Sequence, residues 1–113
     1  MKDEKTAEEM IQAKGLKAPR LTPADIDAAI VGVTYTKMPS GKCLICELTL
    51  RNGFTVRGEA ACVSPVNFDQ QVGEKVSYAN AREKIWLLEG YLLQERHPVA
   101  RGAEATEGED DRG

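Results

Sequence analysis

The sequence lacks a long apolar run, and none of its stretches approaches the ~20 apolar residues that a membrane-spanning helix needs. Its N-terminal segment is charged throughout and contains no apolar run, unlike a secretory signal peptide. A basic surplus is also missing, since 15 Lys and Arg stand against 18 Asp and Glu and the formal net charge is -3. We therefore expect a cytoplasmic protein that has no membrane partner and does not bind nucleic acid generally.

Cysteine and histidine are few, with three cysteines and one histidine. Cys43 and Cys46 form a C-x-x-C pair that, together with Cys62 and His97, has the composition of a zinc site. However, residues three apart in a strand point to opposite faces, whereas zinc-binding pairs usually lie on turns or helix N-termini. We interpret the cysteines as small strand residues and His97 as a helix cap, and we predict no metal and no disulfide.

Familiar catalytic patterns are absent as well. The sequence contains no G-x-S-x-G, no P-loop and no dinucleotide fingerprint, and the run from Gly53 to Gly58 fits a strand better than a phosphate loop. We assign no catalytic residue and no cofactor, and we expect that the protein is not an enzyme.

The length of 113 residues predicts one domain with an additional segment at each end. Residues 1–20, rich in Lys, Glu and Ala, are predicted to be a flexible N-terminal segment that contains a frayed helix. Residues 21–97 are predicted to form the domain, which opens with a short helix capped by Thr22, with Pro23 at its first position and Asp25 completing a capping box. Residues 98–113 are predicted to be a disordered acidic tail.

Three strands follow the short helix. Residues 30–37 alternate, with Val31, Val33 and Tyr35 on one side, and a turn at residues 39–41 ends this strand. The inward residues of the second strand are Leu44, Cys46, Leu48 and Leu50. Those of the third strand are Phe54, Val56, Gly58 and Ala60.

The faces decide the turn between the second and third strands. A two-residue turn at residues 52–53 would place Leu50 opposite Thr55 and mix the apolar and polar faces. A three-residue loop at residues 51–53, with Gly53 in the left-handed region, places Leu50 opposite Phe54. We therefore predict the three-residue loop.

The same register predicts a polar patch on the outer face of the sheet. Glu47 lies directly opposite Arg57, which is a favourable cross-strand pair. The simplest interpretation is a solvent-exposed surface of salt bridges, and the alternative is a surface that binds a partner. The candidate residues are Glu47, Thr49, Thr55, Arg57 and Glu59.

The longest segment with helical periodicity is residues 67–94. Ser64 or Asn67 can cap its start, which would leave Asp69 in the first turn, and Pro98 ends the helix near residue 96. On a helical wheel at about 100° per residue, two apolar stripes are separated by charged residues. The first stripe is Tyr78, Ala81, Ile85, Leu88 and Leu92. The second is Phe68, Val72, Ala79, Trp86, Gly90 and Leu93, and the charged residues are Lys75, Arg82 and Glu89.

A sheet of three strands covers one stripe, so the second needs another cover. Loops could half-cover it while the charged heads reach solvent. Alternatively, it packs on a second copy, so that Arg82 and Glu89 pair across a homodimer interface and Gly90 permits close approach. A third possibility is that Arg82 binds an anion beside Tyr78 or Trp86. The candidate interface residues are Tyr78, Arg82, Trp86, Glu89, Gly90 and Leu93.

Parts of the sequence resemble one family. They are Leu21-Thr22-Pro23 with Ile26, Asn67-Phe68, Tyr78-Ala79-Asn80-Ala81, Lys84-Ile85-Trp86, and Leu88-Glu89-Gly90-Tyr91-Leu92-Leu93. The family consists of small proteins of tailed phages and prophages, typified by gene-product forty-nine of phage N-four and gene sixty-six of Shigella phage Sf-six. The resemblance implies a phage or prophage accessory protein and implies no catalytic residues. Together with the expected cytoplasmic location, this places the protein in the bacterial host cell.

Together these features predict an α+β fold: a short N-terminal helix, a three-stranded antiparallel meander, and a long C-terminal helix packed on the sheet. The favoured function is a non-enzymatic module that forms a homodimer and binds a host or phage protein. The alternative is an oligomer that sequesters a small anionic, nucleotide-like ligand.

Overall fold

The computed structural model describes residues 4–15 and 18–99 and confirms the α+β fold. Its elements are α1 (Glu4–Lys14), α2 (Pro23–Ala29), β1 (Ile30–Lys37), β2 (Cys43–Leu50), β3 (Thr55–Ala61) and α3 (Gln70–Arg96). Of the predicted acidic tail, residues 100–113 lie outside the described residues. No helix in the described ranges is long and apolar enough to cross a membrane.

Helix α2 begins with the predicted capping box. The Thr22 hydroxyl accepts a hydrogen bond from the Asp25 N–H at 3.2 Å, and the Asp25 carboxylate accepts one from the Thr22 N–H at 2.9 Å. Pro23 follows the cap, where a missing N–H does no harm. The helix ends at Ala29, as predicted, and β1 starts at the next residue.

The sheet has the strand order β1-β2-β3, and both strand pairs are antiparallel. Residues of β2 alternate between buried and half-buried, as the sequence pattern predicts. Gly53 has a φ of 92°, and the Leu50 N–H donates to the Phe54 carbonyl at 2.8 Å. The predicted three-residue loop is therefore confirmed, and it pairs Leu48 with Val56 across the strands.

The predicted face of the first strand is wrong at Val31. Strand β1 has a bulge between Ile30 and Gly32, so Val31 has no partner on β2 and is 65% exposed. An extra residue in one strand interrupts the alternation of side chains. Val33 and Tyr35, beyond the bulge, keep the face that looks toward α3, opposite Leu48 and Cys46 of β2.

Phe54 is more exposed than the alternation predicts, at 56%. It lies one residue before β3, at the end of the sheet, beside a small depression that Leu88 and Leu92 of α3 also line. Its side chain thus lies where the helix covers the sheet only in part.

The start of the long helix differs from both predicted caps. Ser64 caps a short 3-10 turn at Pro65–Asn67, where its side chain accepts from the Val66 N–H. Asp69 is the N-cap of α3 rather than a residue of its first turn, because its carboxylate accepts from the Val72 N–H at 3.1 Å. A carboxylate there satisfies a free N–H and favours the positive end of the helix dipole.

The core lies between α3, α2 and the sheet. Helix α3 packs mainly on β3 and β2, and of the predicted stripe Ala81 and Ile85 are fully buried, whereas Leu92 is 40% exposed. The buried apolar cluster consists of Ile26, Ala29, Cys46, Leu48, Leu50, Val56, Ala81 and Ile85. Strand β1 lies at the margin of the sheet area that α3 covers.

The segment that we predict to be flexible, residues 1–20, contains α1. The helix buries none of its residues, but it is joined to the following chain by Arg20, whose guanidinium donates to the Glu8 carboxylate at 2.7 and 3.1 Å. Its first residue, Glu4, contacts α3. The flexibility of the segment stays a prediction, and the contacts show where it docks.

Candidate functional site

The two edges of the sheet differ in how far the rest of the chain covers them. Strand β3 forms one of these edges. A Cβ atom added to Gly58 would lie 2.2 Å from the Ala81 nitrogen and 2.5 Å from the Ser77 oxygen, so β3 and α3 touch backbone to backbone. The Asn80 side-chain amide donates to the Glu59 carbonyl at 2.8 Å. Helix α3 therefore covers β3 and occupies part of its outer edge.

The other edge strand is β1, which has one neighbouring strand, β2, among residues 4–15 and 18–99. The Met38 N–H donates to the Cys43 carbonyl at 2.8 Å. Because backbone groups alternate in direction along an antiparallel strand, this bond fixes which residues of β1 face β2. The N–H and C=O groups of Val33, Tyr35 and Lys37 point away from β2, toward the open edge.

A groove of about 680 Å³ lies beside this edge, between β1 and the N-terminal half of α3. Val33 and Val72, near it, are 45% and 58% exposed. One acidic and one basic side chain lie together on its wall, so the groove has no dominant charge. Its lining residues are Tyr35, Gln71, Val72, Glu74, Lys75 and Tyr78.

Arg82 is bound by residues of three segments of its own chain. Its Nε donates to the Glu4 carboxylate at 2.8 Å, and its Nη1 lies 2.8 Å from Oδ1 of Asp27. It also donates to the Pro23 carbonyl at 3.2 Å and to the Tyr78 hydroxyl at 3.3 Å. Burial lowers the pKa of the guanidinium, but the two carboxylates outweigh burial and hold this pKa above its ordinary value.

Trp86 completes the site around Glu4. Its indole N–H donates to the Glu4 carboxylate at 2.7 Å, so Arg82 and Trp86 direct their donors at the same group. Burial raises the pKa of Glu4, but the hydrogen bonds from Arg82 and Trp86 outweigh it, and the pKa lies below its ordinary value. The geometry is that of a small anion-binding site filled by a carboxylate from α1.

Glu89, the other charge that the sequence places between apolar stripes, pairs with Arg51. The two guanidinium nitrogens of Arg51 donate to the two carboxylate oxygens at 2.9 and 3.2 Å. Glu89 is 7% exposed, whereas the Arg51 side chain is 50% exposed. Arg82 and Glu89 are thus each neutralised within the chain by partners that the sequence interpretation did not identify.

These contacts change the basis of the predicted homodimer interface. Trp86 and Leu93 are half-buried, and a Cβ atom added to Gly90 would meet Leu21 of the same chain at 3.8 Å. The Trp86 end of the second stripe is therefore covered by the chain itself. A homodimer through this face stays a prediction, but it no longer follows from an uncovered stripe.

The predicted polar patch lies together on the face of the sheet away from α3. Arg57 donates to the Glu47 carboxylate and to the Thr55 hydroxyl, each at 3.1 Å, and Thr49 lies opposite Thr55. Glu59 is exposed on the same face. The Arg57 and Glu47 side chains are about half exposed, so the arrangement is that of a solvated salt bridge.

The cysteines occupy three separate environments. Cys46 is fully buried in the core, where burial raises the pKa of its thiol. Cys43 lies on β2 with the opposite facing, and the Cys62 thiol donates to the Ser64 carbonyl at 3.0 Å. Within residues 4–15 and 18–99, no group of three His, Cys, Asp or Glu residues could hold a metal ion. His97 caps the C-terminus of α3.

Three charged residues of the site were missed by the sequence interpretation: Glu4, Asp27 and Arg51. Each lies far from its partner in the sequence, and no local pattern distinguishes it from the residues around it. The only available signal was the isolation of Arg82 and Glu89 among apolar residues, which indicates that partners exist without naming them.

Comparison with known protein families identifies a relationship for most of the domain. The model of the Phage protein (N4 Gp49/phage Sf6 gene 66) family matches residues 21–97, more than half of the chain. The matched range includes the sheet, the groove and Arg82, whereas α1 lies outside it. No curated protein and no solved structure matches the chain.

Proposed function

The chain belongs to the N4 Gp49/phage Sf6 gene 66 family of phage proteins, and from this premise we propose that it is a non-enzymatic interaction module. Its site of action in this proposal is the cytoplasm of the bacterial host. Its partner is a polypeptide that adds an extended segment to β1.

The observation that carries this proposal is the difference between the two sheet edges. Asn80 and the close contact at Gly58 occupy the β3 side, whereas β1 presents the backbone groups of Val33, Tyr35 and Lys37 outward. An exposed edge strand is a template for another strand, and β-strand addition is a common mode of peptide recognition. Main-chain hydrogen bonds would supply affinity there.

The groove beside β1 can bind side chains of the added strand. Alternate residues of an added strand point toward α3, and they would enter the space lined by Tyr35, Val72 and Tyr78. The mixed charge of Glu74 and Lys75 on its wall suits apolar or polar side chains rather than a strongly charged segment. The partner segment should therefore carry apolar residues at alternate positions.

The buried charges do not argue for a catalytic role, because partners within the chain engage them. Arg82 is engaged by two carboxylates, and Glu89 accepts both hydrogen bonds of the Arg51 fork. Paired and hydrogen-bonded charges of this kind commonly serve structure.

Site-specific photo-crosslinking in host cells that carry the phage tests the proposal. A photoreactive phenylalanine analogue is placed at Val33, near the open edge, and in a matched variant at Ala61, an exposed residue of β3. Position 33 should give a discrete cross-linked species that mass spectrometry identifies, and position 61 should not. Absence of a product at position 33, or the same products at both positions, would overturn the proposal.

A second candidate function is binding of a small anionic ligand, and the convergence of Arg82 and Trp86 on one carboxylate favours it. Any such ligand must displace Glu4. Asp27 already faces Arg82, so a singly charged anion suits the site better than a dianion.

Trp86 is the one tryptophan of the chain, so its fluorescence reports occupancy of this site. A Glu4→Gln variant should respond saturably to acetate, and more weakly to nucleotide monophosphates, which are close to dianions at pH 7, whereas wild type and the exposed-site control Glu9→Gln should not. Equal responses in all three proteins, or none, would remove the candidate.

A further inference from the structure

Strand β1 carries backbone groups and side chains that complement a second β1 in the antiparallel direction. Its sequence, Ile-Val-Gly-Val-Thr-Tyr-Thr-Lys, contains one charged residue, Lys37, at one end and the bulge at the other. Between them lie half-exposed apolar residues on the α3 side and threonines on the outer side.

We infer that the partner at this edge is a second copy of the chain, whose β1 pairs antiparallel with β1 about a two-fold axis at Thr34. The inference rests on the proposed function, because it names the occupant of the same edge. The paired sheet has six strands, and the grooves of the two copies face each other across the central strands.

The register follows from the direction of the backbone groups. Thr34 pairs with Glu47 on β2 and directs its N–H and C=O there, so two Thr34 residues can meet only as a non-hydrogen-bonded pair. Val33 and Tyr35, whose groups point outward, then exchange hydrogen bonds with Tyr35 and Val33 of the second copy. All four outward groups of these two residues are satisfied in each chain.

The side chains agree with this register. Val33 meets Tyr35 of the second copy on the α3 side, and Thr34 meets Thr34 on the outer side, which are both favourable cross-strand pairs. A slip of one residue would set Val33 of one copy opposite Thr34 of the other. The α3 side of one sheet would then continue into the outer side of the other sheet. A slip to a two-fold axis at Tyr35 keeps the faces but sets Val33 against Lys37.

Charge and closure favour a dimer over an open chain of copies. In the register centred on Thr34, the two Lys37 residues lie at opposite ends of the strand pair, about 20 Å apart at 3.3 Å per residue. Both copies contribute the same edge, so the contact is isologous, which is the condition for a closed C₂ assembly. On the other edge of each described sheet, the Asn80 amide already occupies the Glu59 carbonyl of β3.

Cysteine cross-linking of the full chain tests the register. Facing residues of a non-hydrogen-bonded pair have Cβ atoms close enough for a disulfide. A Thr34→Cys variant should therefore form a covalent dimer under mild oxidation, with at least a tenfold excess over the matched Thr36→Cys variant. Wild type, which has Cys43, Cys46 and Cys62, measures the background.

Sedimentation velocity at micromolar concentration tests the assembly itself. Wild type should sediment as a dimer, and Val33→Lys should raise the dissociation constant at least tenfold while its circular dichroism spectrum and its cooperative unfolding stay those of a folded protein. A monomeric wild type, a dimer unaffected by Val33→Lys, or equal cross-linking at positions 34 and 36 would overturn the inference. A monomer that still cross-links from Val33 to another protein would leave the proposed function intact and remove only the second copy.

Discussion

Arg82 and Glu4 are 78 positions apart in the sequence, yet the Nε atom of the first lies 2.8 Å from a carboxylate oxygen of the second. The side chains are only 11% and 18% exposed. A charge so placed needs a partner, because removing one member of a buried pair leaves the other poorly solvated. The contact therefore fastens the N-terminal helix to the long helix, although α1 lies outside the range matched by the family.

Replacing Glu4 with Gln should lower the free energy of unfolding by about 1–2 kcal/mol, because Arg82 and Trp86 lose a charged acceptor and keep a neutral one. Urea unfolding measures the change. Glu9→Gln is the matched control, since Glu9 is exposed on the same helix and should change stability little. Equal stabilities of the two variants would show that the contact with Arg82 contributes nothing.

Acid should release α1 before the rest of the fold unfolds. The pKa of Glu4 lies below its ordinary value of 4.5, so its ionised form stabilises the folded state above that pH. This contribution is lost as the pH falls through the lower, folded-state pKa. Trp86 fluorescence should report the change, and Glu4→Gln should lack it. Asp27→Asn should keep it, because Asp27 contacts Arg82 but not Trp86. An unchanged acid transition in Glu4→Gln would contradict this assignment.

Two arginines of the hairpin should differ in importance although both pair with a glutamate. Arg51→Ala leaves Glu89, which is 7% exposed, without its partner, so we expect a loss of about 2–3 kcal/mol in unfolding free energy. Arg57→Ala leaves Glu47 on the solvated face, where such pairs contribute about 1 kcal/mol or less. Chemical denaturation of both variants measures the contrast. A loss for Arg57→Ala as large as that for Arg51→Ala would reverse the ranking.

The strand faces and the hairpin register could be predicted because they depend on neighbouring residues. The alternation of β2 and the position of Gly53 together admit one loop length, and this length sets Glu47 opposite Arg57. The capping box at Thr22 is equally local. Information of this kind is contained within a few positions of the sequence.

The partners of the charged residues could not be predicted in the same way. The helical wheel shows that Arg82 and Glu89 lie between apolar stripes, but it contains no information about which distant residue meets them. Glu4 is brought to Arg82 by the packing of α1 beside α2, and Arg51 to Glu89 by the crossing of α3 over the hairpin end. The bulge at Val31 was not predicted for a related reason, because one extra residue still leaves an alternation of apolar and polar residues in the sequence of β1.

Gly58 should tolerate no side chain. A Cβ atom there would lie 2.2 Å from the Ala81 nitrogen, and backbone atoms of a packed helix cannot yield as a flexible side chain can. Gly58→Ala should cost about 3 kcal/mol or more, at the upper end of overpacking effects. Gly32→Ala is the control, because its Cβ atom would meet Thr49 at 3.4 Å. Thermal melts that are alike for both variants would refute the close contact of β3 and α3.

Gly90 separates the two accounts of the Trp86 face. Within the chain, a Cβ atom at Gly90 would make only an ordinary contact with Leu21 at 3.8 Å, and alanine in a helix interior is favoured over glycine by up to about 1 kcal/mol. Gly90→Ala should therefore raise the free energy of unfolding by about 0.5–1 kcal/mol and leave the sedimentation coefficient unchanged. If a second copy instead packs its backbone on this glycine, as the two-stripe interpretation requires, the added methyl group should weaken association. Urea unfolding and sedimentation velocity on the same variant decide between the two. A stabilised protein with unaltered assembly leaves no role for close helix contact at this position. A dissociated protein restores the homodimer formed through α3 and makes it an alternative to pairing through β1.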